Sequence, residues 1–175
     1  MYEVILMSID LGRVINYALN KGFDEAAILL QRSERLMIKF ANSQPSVAQN
    51  WIEYTASLYL VKDKRIMIST VESFSEEEIL GRINDAINQI NSLERSFIYA
   101  PLPEPDINAK PLQNLVSSKV LEFLRDPGEV SEIIVNKAFN ERIERFAGTI
   151  DSSLNERCLA TSKGFEACER STYFS

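Results

Sequence analysis

The sequence predicts an α+β protein: an antiparallel β-meander packed by two helices, then a linker, then two further helices and a β-hairpin. Three observations carry this. Apolar residues recur at helical spacing over Leu11–Leu19 and Ile79–Leu93, and they alternate at strand spacing over Leu36–Phe40 and Arg65–Thr70. Between these patterned stretches and the rest of the chain lie Pro101, Pro103, Pro105 and Pro111, which remove backbone donors and favour extended chain. The expected division is therefore a first domain over 1–95, a linker over 96–111, and a second, incomplete-looking region over 112–175.

The first helix is expected from about Ser8 or Asp10 to Lys21, with Leu11, Val14, Ile15, Ala18 and Leu19 on one face and Gly22 as its left-handed stop. Apolar Phe23–Gln31 follows, with Ala26, Ile28 and Leu30 on one face. Ser33-Glu34 reads as a turn, Leu36–Phe40 as a strand, and Pro45 as a bend. Val47–Tyr54 reads as a frayed or bulged strand and Ala56–Val61 as a stronger one. Lys62-Asp63-Lys64 turns the chain into Arg65–Thr70, completing a meander of four or five strands.

Ser75 and Glu78 stand at capping-box spacing before the next helix, and Phe74 can staple onto Ile79. The stripe Ile79, Leu80, Ile83, Ala86, Ile87, Ile90, Leu93 spans about four turns. Past the prolines, Leu112–Leu124 carries a helical stripe through Leu115, Val116, Val120, Leu121 and Leu124. Asp126-Pro127-Gly128-Glu129 then reads as the cap and first turn of another helix, bearing Val130, Ile133, Ile134 and Ala138. Leu154–Thr161 and Phe165–Phe174 flank Ser162-Lys163-Gly164 as a hairpin, where Gly164 supplies a positive φ.

Composition narrows function by exclusion. The 175 residues include no histidine, which removes imidazole acid/base chemistry, Ser-His and Cys-His nucleophiles, and every His-ligated zinc site. No catalytic, cofactor-binding or metal-ligating residue is assigned to this chain. With 19 basic against 25 acidic residues, net −6, the charge balance argues against direct nucleic-acid binding. Residues 1–11 carry Glu3 and Asp10 and no basic n-region, and no long apolar run follows, so neither signal peptide nor membrane span is expected and the reading is cytoplasmic.

Each remaining signal has a plain structural explanation. Cys158 and Cys168 fall directly opposite one another across a 162–164 turn, so a cross-strand disulfide is sterically open, but a reducing compartment favours two thiols. Glu76-Glu77-Glu78 suits the positive end of a helix dipole better than a cation site. Trp51 with Tyr54 could form an interface patch, although half-buried packing is the simpler role. Glu141, Glu144 and Asp151 show no motif spacing and read as solvated.

Several short segments, taken in order, resemble one known family. Lys21-Gly22-Phe23-Asp24-Glu25-Ala26, Phe74-Ser75-Glu76-Glu77-Glu78, Tyr99-Ala100-Pro101-Leu102-Pro103-Glu104-Pro105 and Thr161-Ser162-Lys163-Gly164-Phe165-Glu166 are similar to the N-terminal and early middle parts of TldD/PmbA proteins, the metallopeptidase and gyrase-modulator family. The family's glycines around the central hairpin are replaced by Thr55-Ala56-Ser57-Leu58 and Lys62-Asp63-Lys64-Arg65, of which only Arg65 matches.

The resemblance implies a zinc peptidase assembly whose metal is held by a His-Glu-x-x-x-His motif in a C-terminal domain of the TldD-type subunit. Zinc is thus expected only in a His-containing partner or in such a domain, and none in these residues. The implied role is a non-catalytic portion or partner subunit of a TldD/PmbA-like oligomer, homo- or hetero-, that shapes a chamber and contacts subunits or peptide. The alternatives are a free-standing protein-binding or regulatory α+β module, and a truncated gene product without activity.

Overall fold

A computed structural model describes residues 9–73, 75–106, 110 and 112–175. It is an α+β structure in which one five-stranded antiparallel sheet is accompanied by four helices. In chain order these are α1 (Leu11–Asn20), β1 (Glu25–Ala41), β2 (Gln44–Lys62), β3 (Arg65–Val71), α2 (Glu76–Gln89), α3 (Ser118–Arg125), α4 (Pro127–Asn140), β4 (Gly148–Thr161) and β5 (Glu166–Phe174), with one 3-10 turn at Ile90–Ser92. The sheet order is β3-β2-β1-β4-β5.

The meander has three long strands where four or five shorter ones were expected. Ser33 and Glu34 do not turn the chain; they lie inside β1. Their polarity is absorbed sideways, because Ser33 Oγ bonds Asn155 Oδ1 at 2.8 Å and neighbouring Arg32 and Arg35 find Glu156 and Asp151 on β4. A strand tolerates polar residues when a neighbouring strand supplies their partners. Nor does Pro45 bend the chain. The turn falls at Asn42 (φ 50°) and Ser43 (φ 63°), the paired positive φ of a tight hairpin, and Pro45 lies within β2.

Asp63 (φ 50°) and Lys64 (φ 62°) make the same two-residue turn between β2 and β3, in a register that sets Lys62 opposite Arg65 and Ala56 opposite Val71. Asp24 Oδ2 accepts from the Asp63 backbone N–H at 2.7 Å, which holds this turn without glycine.

Residues 148–174 form no second sheet. β4 lies beside β1, whose backbone groups on that side would otherwise be left as an open edge. The helix expected from Leu112 begins only at Ser118. Leu115 instead runs extended, its carbonyl accepting from Thr172 N–H at 2.9 Å, and Leu112 is exposed.

The chain packs as two compact units, and these are not consecutive stretches such as 1–95 and 112–175. Unit 1 is Met1–Arg32, Glu53–Pro111 and Glu156–Glu169; unit 2 is Ser33–Ile52, Leu112–Asn155 and Arg170–Ser175. The long strands β1, β2, β4 and β5 each contribute to both.

In unit 1, α1 and α2 bury Val14, Ala18, Ile79, Ile83 and Ala86 against Ile28, Leu30, Leu58 and Leu60 of the strands. Asp10 caps α1 by accepting from Arg13 N–H at 2.9 Å, and Gly22 (φ 96°) ends it. Ser75 Oγ accepts from Glu78 N–H at 3.4 Å at the start of α2, whereas Phe74 lies outside the described residues. In unit 2, Phe123 and Leu124 of α3 pack with Leu36, Ile38, Phe40, Ile150 and Leu154. Asp126 caps α4 through Gly128 N–H at 3.1 Å, with Pro127 in the first turn.

Candidate functional site

The most organised polar centre lies in unit 1 around Glu25, a carboxylate only 6% exposed at the start of β1. Three chain segments meet on it. Tyr99 O–H donates to Glu25 Oε2 at 3.1 Å, and Leu102 N–H donates at 3.2 Å to Oε1 and 3.3 Å to Oε2. From the β4–β5 turn, Lys163 Nζ stands 3.9 Å from Glu25 and 3.4 Å from Glu104. Next to it, Ala26 and Ser162 exchange two bonds, Ser162 N–H to Ala26 O at 2.7 Å and Ala26 N–H to Ser162 Oγ at 3.1 Å.

The proline-rich stretch is thus more than a spacer. Proline keeps it extended, and Glu25 pins its Tyr99–Leu102 portion. A buried carboxylate needs donors, and the segment provides a phenol and a backbone amide that have no helix or strand partner of their own. Burial raises the Tyr99 pKa above the ordinary tyrosine value, and the bond to Glu25 and its negative charge raise it further. Tyr59 is shifted the same way by burial and then by Glu25.

Sequence alone does not reveal this centre, because Glu25 has no ligand or catalytic spacing. A signal was nevertheless present. Lys21–Ala26, Tyr99–Pro105 and Thr161–Glu166 each carry part of the family resemblance, and the structure brings all three together at Glu25. A carboxylate that accepts from a phenol and an amide, beside one lysine, fastens backbone; it presents no vacant donor set.

Cys158 and Cys168 are joined in a disulfide with Cα atoms 4.1 Å apart, which corrects the preference for free thiols. The reason lies in the ladder. Asp151 and Ser175 exchange both backbone bonds, so with alternate pairing Cys158 and Cys168 form a non-hydrogen-bonded pair, the closer of the two kinds. Cys158 is buried in the unit 1 core and Cys168 lies on the edge strand.

Glu76 pairs with Arg13 at 3.0 Å, in keeping with a structural first turn. Trp51 and Tyr54 are half-buried, and the Arg35 guanidinium lies 5.1 Å from the Trp51 ring centre. Arg35 also bonds Asp151 at 3.0 Å, so Asp151 is partnered rather than merely solvated, whereas Glu141 and Glu144 are exposed. Among the described residues no three His, Cys, Asp or Glu side chains converge as a metal site.

Unit 2 also contains a groove of about 440 Å³ between strands and helix, lined by Ile38 of β1, Pro45 and Ala48 of β2, and Gly128, Ser131 and Val135 of α4. Glu132 of α4 supplies an acid to the same lining.

Comparison with known proteins bears on this arrangement. Residues 26–90 match the family described as PmbA/TldA metallopeptidase domain 1. Over these 65 of its 175 residues the chain is similar to the first domain of PmbA/TldD proteins. The fold agrees. TldE from Thermococcus kodakarensis superposes with a TM-score of 0.70 at 20% identity, over 92% of this chain and 36% of that one. A proposed modulator of DNA gyrase from Bacteroides thetaiotaomicron gives 0.76 at 20% identity, over 94% and 38%. A second proposed modulator, from Thermotoga maritima, gives 0.63 at 11% identity, over 93% and 37%.

The chain spans somewhat more than a third of the length of the solved structures it resembles. No curated protein sequence is similar enough to count as a match. Among the described residues no helix is long and apolar enough to cross a membrane.

Proposed function

We propose that this chain serves as a non-catalytic portion or partner subunit of a TldD/PmbA-like zinc peptidase assembly, where it helps form the chamber wall and contacts neighbouring subunits or peptide. The observation that carries the reading is the match over residues 26–90 in a sequence without histidine, in which three family-like segments serve to fasten one another at Glu25. Such a centre makes a rigid frame and offers no nucleophile or metal ligands. Zinc, in this reading, resides in a His-containing partner or domain. The net charge of −6 favours protein over nucleic-acid partners, and the reading places the chain in the cytoplasm.

The test is to mix the chain with a TldD-type subunit bearing the His-Glu-x-x-x-His motif, size the mixture, and assay peptide cleavage. A co-migrating complex with chelator-sensitive cleavage, and no cleavage by this chain alone, supports the proposal. Chelator-insensitive cleavage by the isolated chain, or no association at any ratio, defeats it.

A further inference from the structure

The pairing of β4 with β5 keeps one register from end to end. Asp151 and Ser175 exchange backbone bonds at one end, and Thr161 N–H donates to the Phe165 carbonyl at 2.9 Å at the other. Between these pairs, Ala167 and Glu169 turn their amides toward β4, while Glu166, Cys168 and Arg170 turn theirs away. β5 is the last strand in the sheet order, and every residue from Glu166 to Arg170 is exposed. Beside the ladder, this stretch is tied to β4 by the Arg157–Glu169 pair at 3.8 Å, half-exposed on both sides, and by the bridge from Cys168 to Cys158. Exposed ion pairs contribute little, so the bridge is the stronger tie.

The bridge is lopsided. Cys158 is only 3% exposed and belongs to the unit 1 core, whereas Cys168 faces solvent. A thiolate from solution can therefore reach Cys168 with the sheet intact. β4 does not depend on the bridge, because β1 holds its other side through Ser162 with Ala26 and through the Arg32–Glu156 pair. Farther along β5, in unit 2, Thr172 N–H donates to the Leu115 carbonyl. Residues 165–170 thus lie between two points that are fixed without the disulfide.

We propose that Cys158–Cys168 is a redox-operated latch, which a dithiol reduces in the folded chain by attack at Cys168, so that 165–170 opens from β4 while the rest of unit 1 stays folded. The attacking thiolate bonds to Cys168 Sγ as the S–S bond breaks. Cys158 leaves as a thiolate and takes a proton, since the neutral thiol is the form an apolar core accepts. The second thiol of the reductant then displaces Cys168 from the mixed disulfide. Two electrons and two protons pass in all, leaving two cysteine thiols and a cyclic disulfide on the reductant. In the cytoplasmic setting proposed above, disulfides are as a rule transient or redox-sensing, and exposed ones are the labile kind. The latch lies wholly within this chain, so its test and the assembly test can fail separately.

The 175-residue chain is treated with dithiothreitol without denaturant, amide exchange is followed residue by residue by NMR, and iodoacetamide labelling is mapped in parallel. Reduction should go to completion in the folded protein. The Ala167 and Glu169 amides should then exchange about ten-fold faster or more, while those of Ile83 and Ala86 in α2 stay protected. Of the two new thiols, Cys168 should be alkylated about ten-fold faster than Cys158 or more. Cys168→Ser, an exposed substitution, should show the fast exchange at Ala167 and Glu169 with or without dithiothreitol.

Five outcomes overturn the proposal. Two are chemical: two thiols already free in the untreated chain, and a bridge that yields only once denaturant is added. Two are local: Ala167 and Glu169 as protected after reduction as before, and Cys158 alkylated as fast as Cys168. The fifth is loss of protection at Ile83 and Ala86 as well, which would make the bridge a staple of the whole unit.

Discussion

The two units bury their apolar residues to different depths. In unit 1, Ile28, Leu30, Ile79, Ile83 and Ile90 are wholly excluded from solvent, and two helices with well-defined stripes cover them. In unit 2, Phe123, Leu124, Ile150 and Leu154 retain a few per cent of their surface, and α4 leaves Ile133 at 55% exposure while Phe139 stands at 81%. The polar chemistry differs in parallel. Unit 1 has Glu25 fastening two distant segments to its own strand, a buried Arg32–Glu156 pair at 2.9 Å and a disulfide, whereas unit 2 has the half-exposed Arg35–Asp151 pair and turn contacts such as Ser43 with Phe146. A closed core with internal fasteners is a frame. Large apolar residues stand exposed in both units, Phe97 and Ile98 in unit 1 and Ile133 and Phe139 in unit 2, so the difference lies in the depth of the core.

The sharpest way to break this contrast is to cut the buried pair. Glu156→Ala leaves the Arg32 guanidinium without its close carboxylate and should cost about 3–5 kcal/mol, read from urea unfolding; a loss no larger than that of Asp151→Ala would contradict it.

Core truncation comes next. Ile83→Ala in unit 1 should lose about 2–5 kcal/mol, and Leu124→Ala in unit 2 should fall at or below the lower end of that range, because its site is already partly open. Equal losses would erase the distinction in core depth.

Reduction of Cys158–Cys168 opens a short loop and should lower stability by about 2–3 kcal/mol, seen as a lower denaturation midpoint with dithiothreitol. Without reductant the unfolded chain should give no Ellman colour, and two reactive thiols there would remove the disulfide from the account.

Glu25→Gln weakens the fastening of Tyr99 and Leu102 and should cost about 1–3 kcal/mol, with faster proteolytic nicking of 99–106. The pH dependence has a definite sign. The folded Tyr99 pKa is raised, so its contribution is complete below the ordinary tyrosine value of about 10 and is lost as pH climbs through the raised value. An ultraviolet titration of the wild type minus that of Tyr99→Phe should show one phenol ionising later than a free tyrosine; an earlier ionisation would reverse the assignment. Smallest of all, Phe139→Ser on α4 should change stability by no more than about 0.5 kcal/mol, since little of that ring is buried.

How far the sequence could be read varied with the range of the interaction. Helices α1 and α2, the caps at Ser75 and Asp126, and the Lys62–Arg65 turn were legible because each depends on residues within a few positions of one another. Ser33-Glu34 misled because its partner Asn155 lies 122 residues away, and polarity without that partner looks like a turn. Leu115 and Val116 carry a helical stripe, yet Leu115 bonds Thr172, again a distant strand. Glu25 was unreadable as a site for the same reason, since its donors come from positions 99, 102 and 163.

Local periodicity and chemistry alone determined the α+β class, the helices with their caps, and the absence of imidazole, because these are properties of neighbours in the chain or of the residue list. Tertiary structure decided that β4 completes the meander's sheet, that the two cysteines meet as a non-hydrogen-bonded pair, and that one buried carboxylate gathers three segments. Those outcomes depend on which unsatisfied backbone edge or buried charge meets which distant donor, and no window along the sequence contains both halves of such a pair.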